Sequence, residues 1–441
     1  MASSESTSLA DKGQRLGLRL IAKAGGLPGL KDKEVRAKVE RYLYKGAVTG
    51  FTAQTAAGRA FAKKKGSGDP TRAATAKPKQ LFDLTPSEDQ QMIQGVAREL
   101  ADEIIRPAAA TADAERTVPA EVRTAAAEVG LHLVGVPAEL DGIAEERSAV
   151  TAAIVLEELA RGDMGIATAI MAPAAVATAL AAYGDADQQA TYLPEFTGET
   201  PPTAALALHE PQPLFDPFAL RTTGRVEGDE IVLDGVKAIV PGAQEADLFI
   251  ISATIDGQSR LVIVKPGTEG VKTEDDPAMG VRAAKTARLH LEGVRVAKAD
   301  LLGTAEDHAD AVRRARLAWA AAAVGTSQAV LDNVSEYVKE RKAFGEPIGY
   351  RQAVAFTVSD IAIELAGLRL VVWKAAARLD RGEDASAEIA QARNLVSRHA
   401  TWIGSSGVQL LGGHGFVKEF DNERWYRDLR GAGVLEGTLL V

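Results

Sequence analysis

The sequence predicts an α+β chain in which helices and strands are segregated along its length. Three observations carry that expectation. Apolar residues recur at helical spacing from about residue 85 to 200. Short β-branched runs punctuated by Gly and Asp then fill 203–301, and helical spacing returns from 302 onward. The expected divisions are a basic extension and linker (1–82), a helical domain (83–202), a β domain (203–301) and a second helical domain (302–441).

The extension stands apart by charge. Residues 1–80 hold 17 Lys+Arg against 6 Asp+Glu, whereas the remainder holds 34 against 54. Leu9–Ala24 and Lys31–Tyr44 carry helical patterns with basic faces, and Lys63-Lys-Lys-Gly-Ser-Gly-Asp-Pro70 reads as a linker. Leu9, Leu16, Leu20 and Ile21 beside Lys12, Arg15, Arg19 and Lys23 suit a helix lying on an anionic membrane surface. The acidic main body argues against nucleic acid as the principal ligand.

The first helix is expected at Thr85-Pro86-Ser87-Glu88, with Thr85 as N-cap, a proline in the first turn and a capping-box glutamate. Met92, Val96, Leu100 and Ile104 repeat every four residues and so define a face seeking a core. Val150–Leu159 and Met164–Tyr183 are rich in alanine and aliphatics and read as further helices. Near residue 203 the period changes. Arg225 to Gly235 reads as a hairpin around a Gly-Asp turn; Leu248–Ala253 and Ser259–Val264 read as strands joined through Asp256-Gly257, and Thr286–Leu291 alternates again. Long helices follow near 305–341, 351–381 and 385–411.

Composition narrows the chemistry. Charged residues are 25% and hydrophobic ones 46%, as in soluble globular proteins. The chain has no cysteine, which rules out disulfides, thiolate metal sites and cysteine nucleophiles and sits easily with a reducing cytoplasm. No uninterrupted apolar run is expected to approach the ~20 residues of a membrane span. There is no GxxxxGK[ST] loop and no glycine fingerprint between strand and helix, so nucleotide binding of those kinds is not expected. Six scattered histidines without an HxH or HExxH pair argue against zinc. Gly404-Ser-Ser-Gly407 is not a nucleophile elbow and reads as a small-residue packing contact on a helix.

What remains is concentrated near residue 436. Taken alone, Glu436 reads as a surface or helix-capping acid. Its apolar neighbours Val434-Leu435 and the turn-forming Gly437-Thr438 give it more weight, because a carboxylate in an apolar cavity has its pKa raised toward the range of a general base. Upstream lie Gln409-Leu-Leu-Gly412-Gly413-His-Gly415-Phe416, Glu423-Arg-Trp-Tyr-Arg427-Asp428, the run Arg316-Leu-Ala-Trp-Ala, and Arg341-Lys-Ala-Phe344-Gly345 followed by Gln352.

In order and spacing these motifs resemble the acyl-CoA dehydrogenase family, from about Thr85 to the last residue. The resemblance implies an acyl-CoA dehydrogenase-like fold: an N-terminal helical domain, a middle β-sheet domain and a C-terminal four-helix bundle. It implies an FAD-dependent enzyme in which Glu436 removes the α-proton of an acyl-CoA thioester. The enolate oxygen would be met by the base's own N–H and a ribityl hydroxyl, and the β-hydrogen would leave as hydride. Arg316 and Gly437 would stand at the substrate. Arg341, Phe344 and Gln352 would reach FAD across a subunit interface, the arginine suiting pyrophosphate through its fork of donors. Gln409, Gly412 and Gly413 would support the ADP half of FAD, where glycines let backbone N–H groups approach phosphate, and Thr438 would touch the cofactor. Arg427-Asp428 would orient the segment bearing the base. The position before Arg316, where some relatives carry the base, is Ala315. The implied partners are an electron-transfer flavoprotein or similar acceptor and further copies of the chain, as a homodimer or homotetramer.

The middle of the chain departs from the family pattern. Where relatives read Thr-Glu-Pro-Gly-x-Gly-Ser-Asp, this chain has His209-Glu210-Pro211-Gln212-Pro213-Leu214-Phe215-Asp216; Lys-x-Trp-Ile-Thr appears as Lys237-Ala238-Ile239-Val240-Pro241, and Leu440 stands where a glutamine is common. Three readings follow: a working dehydrogenase with an altered flavin pocket, one subunit of a hetero-oligomer, or a non-catalytic scaffold that has lost FAD.

Overall fold

The computed structural model describes residues 84–143, 147–198 and 200–441. The basic arm, with its expected helices and linker, lies outside the described residues. The N-terminal helices are α1 (Glu88–Leu100), α2 (Arg106–Glu115), α3 (Ala120–Glu128), α4 (Ala149–Gly162), α5 (Met164–Tyr183) and α6 (Ala186–Phe196). Ser87, not Thr85, caps α1: its hydroxyl accepts from the Gln90 N–H at 3.2 Å, and the Gln90 side chain accepts from the Ser87 N–H at 3.0 Å. The box therefore begins two residues later than expected, because a glutamine three residues on completes it at Ser87.

The expected buried face of α1 is also corrected. Met92 is 65% exposed, and Val96 and Ile104 face solvent with it, whereas Ala97, Leu100, Ala101 and Ile105 are buried. A π-turn over Ala101–Ile105 joins α1 to α2. It adds a residue to the turn, and Ala101 and Ile105 continue the core-facing stripe that Ile93, Ala97 and Leu100 begin.

Contrary to the sequence expectation, α5 is an apolar stretch of 20 residues, long enough to cross a membrane. It is the core helix of this unit instead, with nearly all of its residues buried against α4, the 131–133 turn and the sheet. Asp163 starts it by accepting the Ile166 N–H at 2.9 Å.

The sheet is built from β1 (Ala204–Ala207), β2 (Thr223–Glu227), β3 (Glu230–Pro241), β4 (Leu248–Ile255), β5 (Gln258–Val264), β6 (Val271–Asp275), β7 (Thr286–Ala297) and β8 (Leu301–Leu302). Its order is β6-β7-β3-β2-β4-β5-β8, with β1 parallel to β4. The expected hairpins form: β2 and β3 turn at Gly228-Asp229, and β4 and β5 turn at Asp256-Gly257, where both turn residues have positive φ. β3 slips register against β7 between Lys237 and Val240, and this bulge holds Ile239 at φ 55°.

Gly303 (φ 58°) then turns the chain into α7 (Ala305–Glu340), followed by a small hairpin of β9 (Lys342–Ala343) and β10 (Glu346–Pro347), then α8 (Gln352–Asp380), α9 (Ser386–Leu411) and the short α10 (Asn422–Leu429). As expected, the C-terminal domain is helical: the three long helices pack together, α4 lies along α7, and the short α10 packs on one end of α9. The small residues Gly404 and Gly407 make those contacts close. A Cβ on Gly404 would sit 3.2 Å from Leu429 and Tyr426, and one on Gly407 would sit 2.7 Å from Val330.

Candidate active site

The segment after α10 is threaded between α7, α9 and the end of β1. Gly433 lies so close to α9 that a Cβ there would be 2.5 Å from Ser397. Gly437 and Thr438 are both left-handed, at φ 74° and 72°. A side chain on Gly437 would meet Leu208 at 2.8 Å, so only glycine lets this turn seat against β1. The Thr438 N–H donates to the Leu206 carbonyl (2.9 Å), and the Trp319 indole donates to the Gly437 carbonyl (2.9 Å). These contacts fix the backbone on both sides of Glu436.

The Glu436 side chain is only 2% exposed. The structure corrects the expectation of an apolar cavity, because two guanidinium groups face the carboxylate. Arg316, on α7, donates from Nε to Oε1 (3.1 Å) and Oε2 (3.0 Å), and from Nη2 to Oε1 (2.8 Å). Arg393, on α9, brings Nη2 to 2.8 Å from Oε1 and donates from Nη1 to the Leu435 carbonyl at 2.9 Å. Burial lowers the pKa of Arg393, with Glu436 opposing that shift and Arg316 adding to it. Arg316 also lies over the Phe218 ring, 5.7 Å from its centroid.

Phe218 lies two residues past the stretch, His209–Asp216, where the chain departs from its relatives. That stretch is anchored by Glu210, whose carboxylate accepts from the N–H groups of Arg221 (2.8 Å) and Thr222 (3.0 Å) and from the Lys237 ammonium (2.8 Å). Lys237 is fully buried and also donates to Ser252 at 3.0 Å. Burial pushes its pKa down to about 8, against the pull of Glu210. Glu210 is held low: burial alone would raise it, but Lys237 and the two backbone donors outweigh burial. His209, edge-on to Phe215 at 5.0 Å, is pushed down to about 4 by burial and by Arg393 and Lys237, so it is neutral at pH 7.

Arg427 and Asp428 tie this region to the other two domains. Arg427 clamps Asp113 with two bonds (2.8 and 3.0 Å), and Asp428 accepts the Val281 N–H at 2.6 Å.

The remaining predicted residues form two exposed surfaces apart from Glu436. Arg341, Phe344 and Gln352 lie in and after the small hairpin, with Phe344 96% exposed. Gln409, Gly412 and Gly413 end α9, also exposed, and a Cβ on either glycine would meet nothing within 4 Å. Open glycine backbone on one surface fits a dinucleotide's phosphates; on the other, Arg351 lies over the exposed Phe344 ring, 5.6 Å from its centroid, and the pair fits an adenine or flavin face. A cleft of about 640 Å³ lies between α3, α5 and residues 200–203, and Glu436 does not line it.

Sequence reasoning missed Arg393 and Trp319. A signal existed for the first. On α9 the buried residues Ile389, Ala392, Val396 and Ala400 mark the inward face, and Arg393 sits among them, four residues after Ile389. Trp319 is one helical turn past Arg316 on the same face of α7.

Comparison with known proteins gives the family. Models of the acyl-CoA dehydrogenase N-terminal, middle and C-terminal domains match residues 87–199, 205–294 and 309–440. The mitochondrial short-chain specific acyl-CoA dehydrogenase of Bos taurus is 32% identical over 363 residues, covering 80% of this chain and 87% of that protein. A 3-(aryl)acrylate reductase of Clostridium sporogenes is 33% identical over 367 residues, covering 80% and 96%. The structure of butyryl-CoA dehydrogenase from Megasphaera elsdenii shares the fold, with TM-score 0.74, 24% identity, and coverage of 80% and 95%. The chain belongs to the acyl-CoA dehydrogenase family, whose members are FAD-dependent oxidoreductases of acyl-CoA thioesters.

Proposed function

We propose that this chain is a working acyl-CoA dehydrogenase with a short acyl group as substrate, and that Glu436 is its base. The observation that carries the reading is the buried Glu436 carboxylate, its backbone fixed by Trp319 and β1 and its oxygens held by two arginines. In the reaction the α-proton passes to Glu436, a Cα=Cβ bond forms, and the β-hydrogen leaves with its electron pair. Gln409, Gly412, Gly413 and Thr438, with Arg341, Phe344 and Gln352 reaching across from a second copy of the chain, would hold FAD, which would supply the acceptor for that hydride. As the proton moves, negative charge leaves the carboxylate for the thioester oxygen while Arg316 keeps its charge beside both. Phe218, just past the altered stretch, lies under Arg316, and the base keeps its surroundings, which favours catalysis over a scaffold role.

Electrons then pass to an electron-transfer flavoprotein, consistent with fatty-acid catabolism in a cytoplasmic setting. Phe356, Ile363 and Leu370 are exposed at seven-residue steps along α8, a seam that suits a second copy of the chain. A homodimer or homotetramer would cover it.

Glu436→Gln is expected to keep flavin, read from the visible spectrum, while turnover with butyryl-CoA falls by at least about 10²-fold. Unchanged turnover would refute the assignment of the base.

A further inference from the structure

We propose that Arg393 is a positioning residue for the reaction, and that it selects Oε2 of Glu436 as the atom that receives the α-proton. This rests on the reading of Glu436 as the base. The two carboxylate oxygens are unequally loaded. Oε1 faces three nitrogens: Arg316 Nε at 3.1 Å, Arg316 Nη2 at 2.8 Å and Arg393 Nη2 at 2.8 Å. Oε2 receives only Arg316 Nε, at 3.0 Å. A carboxylate oxygen offers about two lone-pair directions, so Oε1 is saturated and Oε2 keeps one free.

Without Arg393, Oε1 would keep the Nη2 donor and share the single Nε–H with Oε2, all through one arginine, and the carboxylate could turn about its last bond. With Arg393 the plane is pinned from α7 on one side and α9 on the other. Arg393 also holds the Leu435 carbonyl, so the same guanidinium sets both the main chain before the base and the base itself. Its side chain is 16% exposed, and the close seat of Gly433 on Ser397, one turn further along α9, leaves that segment little room to move. The neutral His209 adds no competing charge. Arg316 therefore accompanies the charge as it moves, while Arg393 fixes the direction from which the proton is taken.

The test compares R393A, R393Q and E436Q as FAD-loaded enzymes, using butyryl-CoA and its α-deuterated form. For R393A, kcat is expected to fall about 10- to 100-fold, the cost of a misplaced reacting group. The deuterium effect on kcat should rise, while KM and flavin content stay within about twofold of the parent. Methylguanidinium added at millimolar concentration should restore part of kcat in R393A and leave E436Q unchanged. A parental kcat in R393A, or a loss that methylguanidinium does not relieve, overturns the proposal. If R393A does not fold, R393Q keeps the stem and a donor for the Leu435 carbonyl but no charge; a parental kcat there overturns it equally. Turnover retained by E436Q would instead sink the reading of the base, whatever the arginine variants do.

Discussion

Removing the Lys237 ammonium should destabilise the middle domain by a measurable and separable amount. Lys237 and Glu210 are 0% and 2% exposed and 2.8 Å apart. Lys237→Met fills the space with an apolar chain of similar length but leaves a buried carboxylate without its cation. Breaking one side of such a pair costs about 3–5 kcal/mol. For a unit of about 360 residues the unfolding entropy near the midpoint is about 0.75 kcal/mol per degree, so the thermal midpoint should drop by about 4–7 °C. Adding Glu210→Gln removes the orphan charge and should recover part of that loss. It should not recover all of it. Glu210 spends both oxygens on the N–H groups of Arg221 and Thr222, and a glutamine must turn its NH₂ toward one of them, which costs about 1–3 kcal/mol. The double variant should thus lie about 1–4 °C below the parent. Scanning calorimetry of the parent, both single variants and the double closes the cycle. A Lys237→Met midpoint within about 1 °C of the parent, or single losses that simply add in the double, would refute the buried-pair argument.

Other consequences can be checked alongside. Trp319→Phe deletes the bond to the Gly437 carbonyl and empties part of a fully buried site; stability should fall by about 2–4 kcal/mol and kcat several-fold more than KM changes, whereas equal kinetics would mean that bond does not place the base. His209 and His308 are both pushed down to about 4, chiefly by burial. Both are neutral in the fold, so above pH 6.5 their contribution is complete. Between pH 6.5 and about 4 the unfolded chain binds protons that the folded one does not, and stability should fall by up to about 3 kcal/mol per histidine. Thermal midpoints that stay flat from pH 7 to 4.5 would contradict this. Ile363→Glu places a charge in the exposed seam of α8 and should yield monomer in sedimentation velocity; an unchanged assembly would place the interface elsewhere.

Much of the fold was legible because it is governed by local pattern. The long helices α7, α8 and α9 fall within a few residues of their apolar repeats, and both predicted hairpins turn at the glycines that permit positive φ. Where local signals competed, the reading failed at α1: the cap moved to Ser87, since Gln90 could complete the box, and the core-facing stripe runs through Ile93, Ala97 and Leu100, one position off Met92 and Val96. The apolar length of α5 is a composition that a membrane span and a core helix share, and only its neighbours distinguish them.

The same division runs through the site. By itself the sequence determined that Glu436 sits on a Gly-Thr turn within a family-like series of motifs, because residue identity and spacing are one-dimensional facts. Only the tertiary structure decided what surrounds the carboxylate. Arg316 and Arg393 are 120 and 43 residues away along the chain, and they meet at Glu436 because α7 and α9 pack on either side of its segment. No local periodicity encodes that meeting; burial of two separate helix faces against one turn creates it.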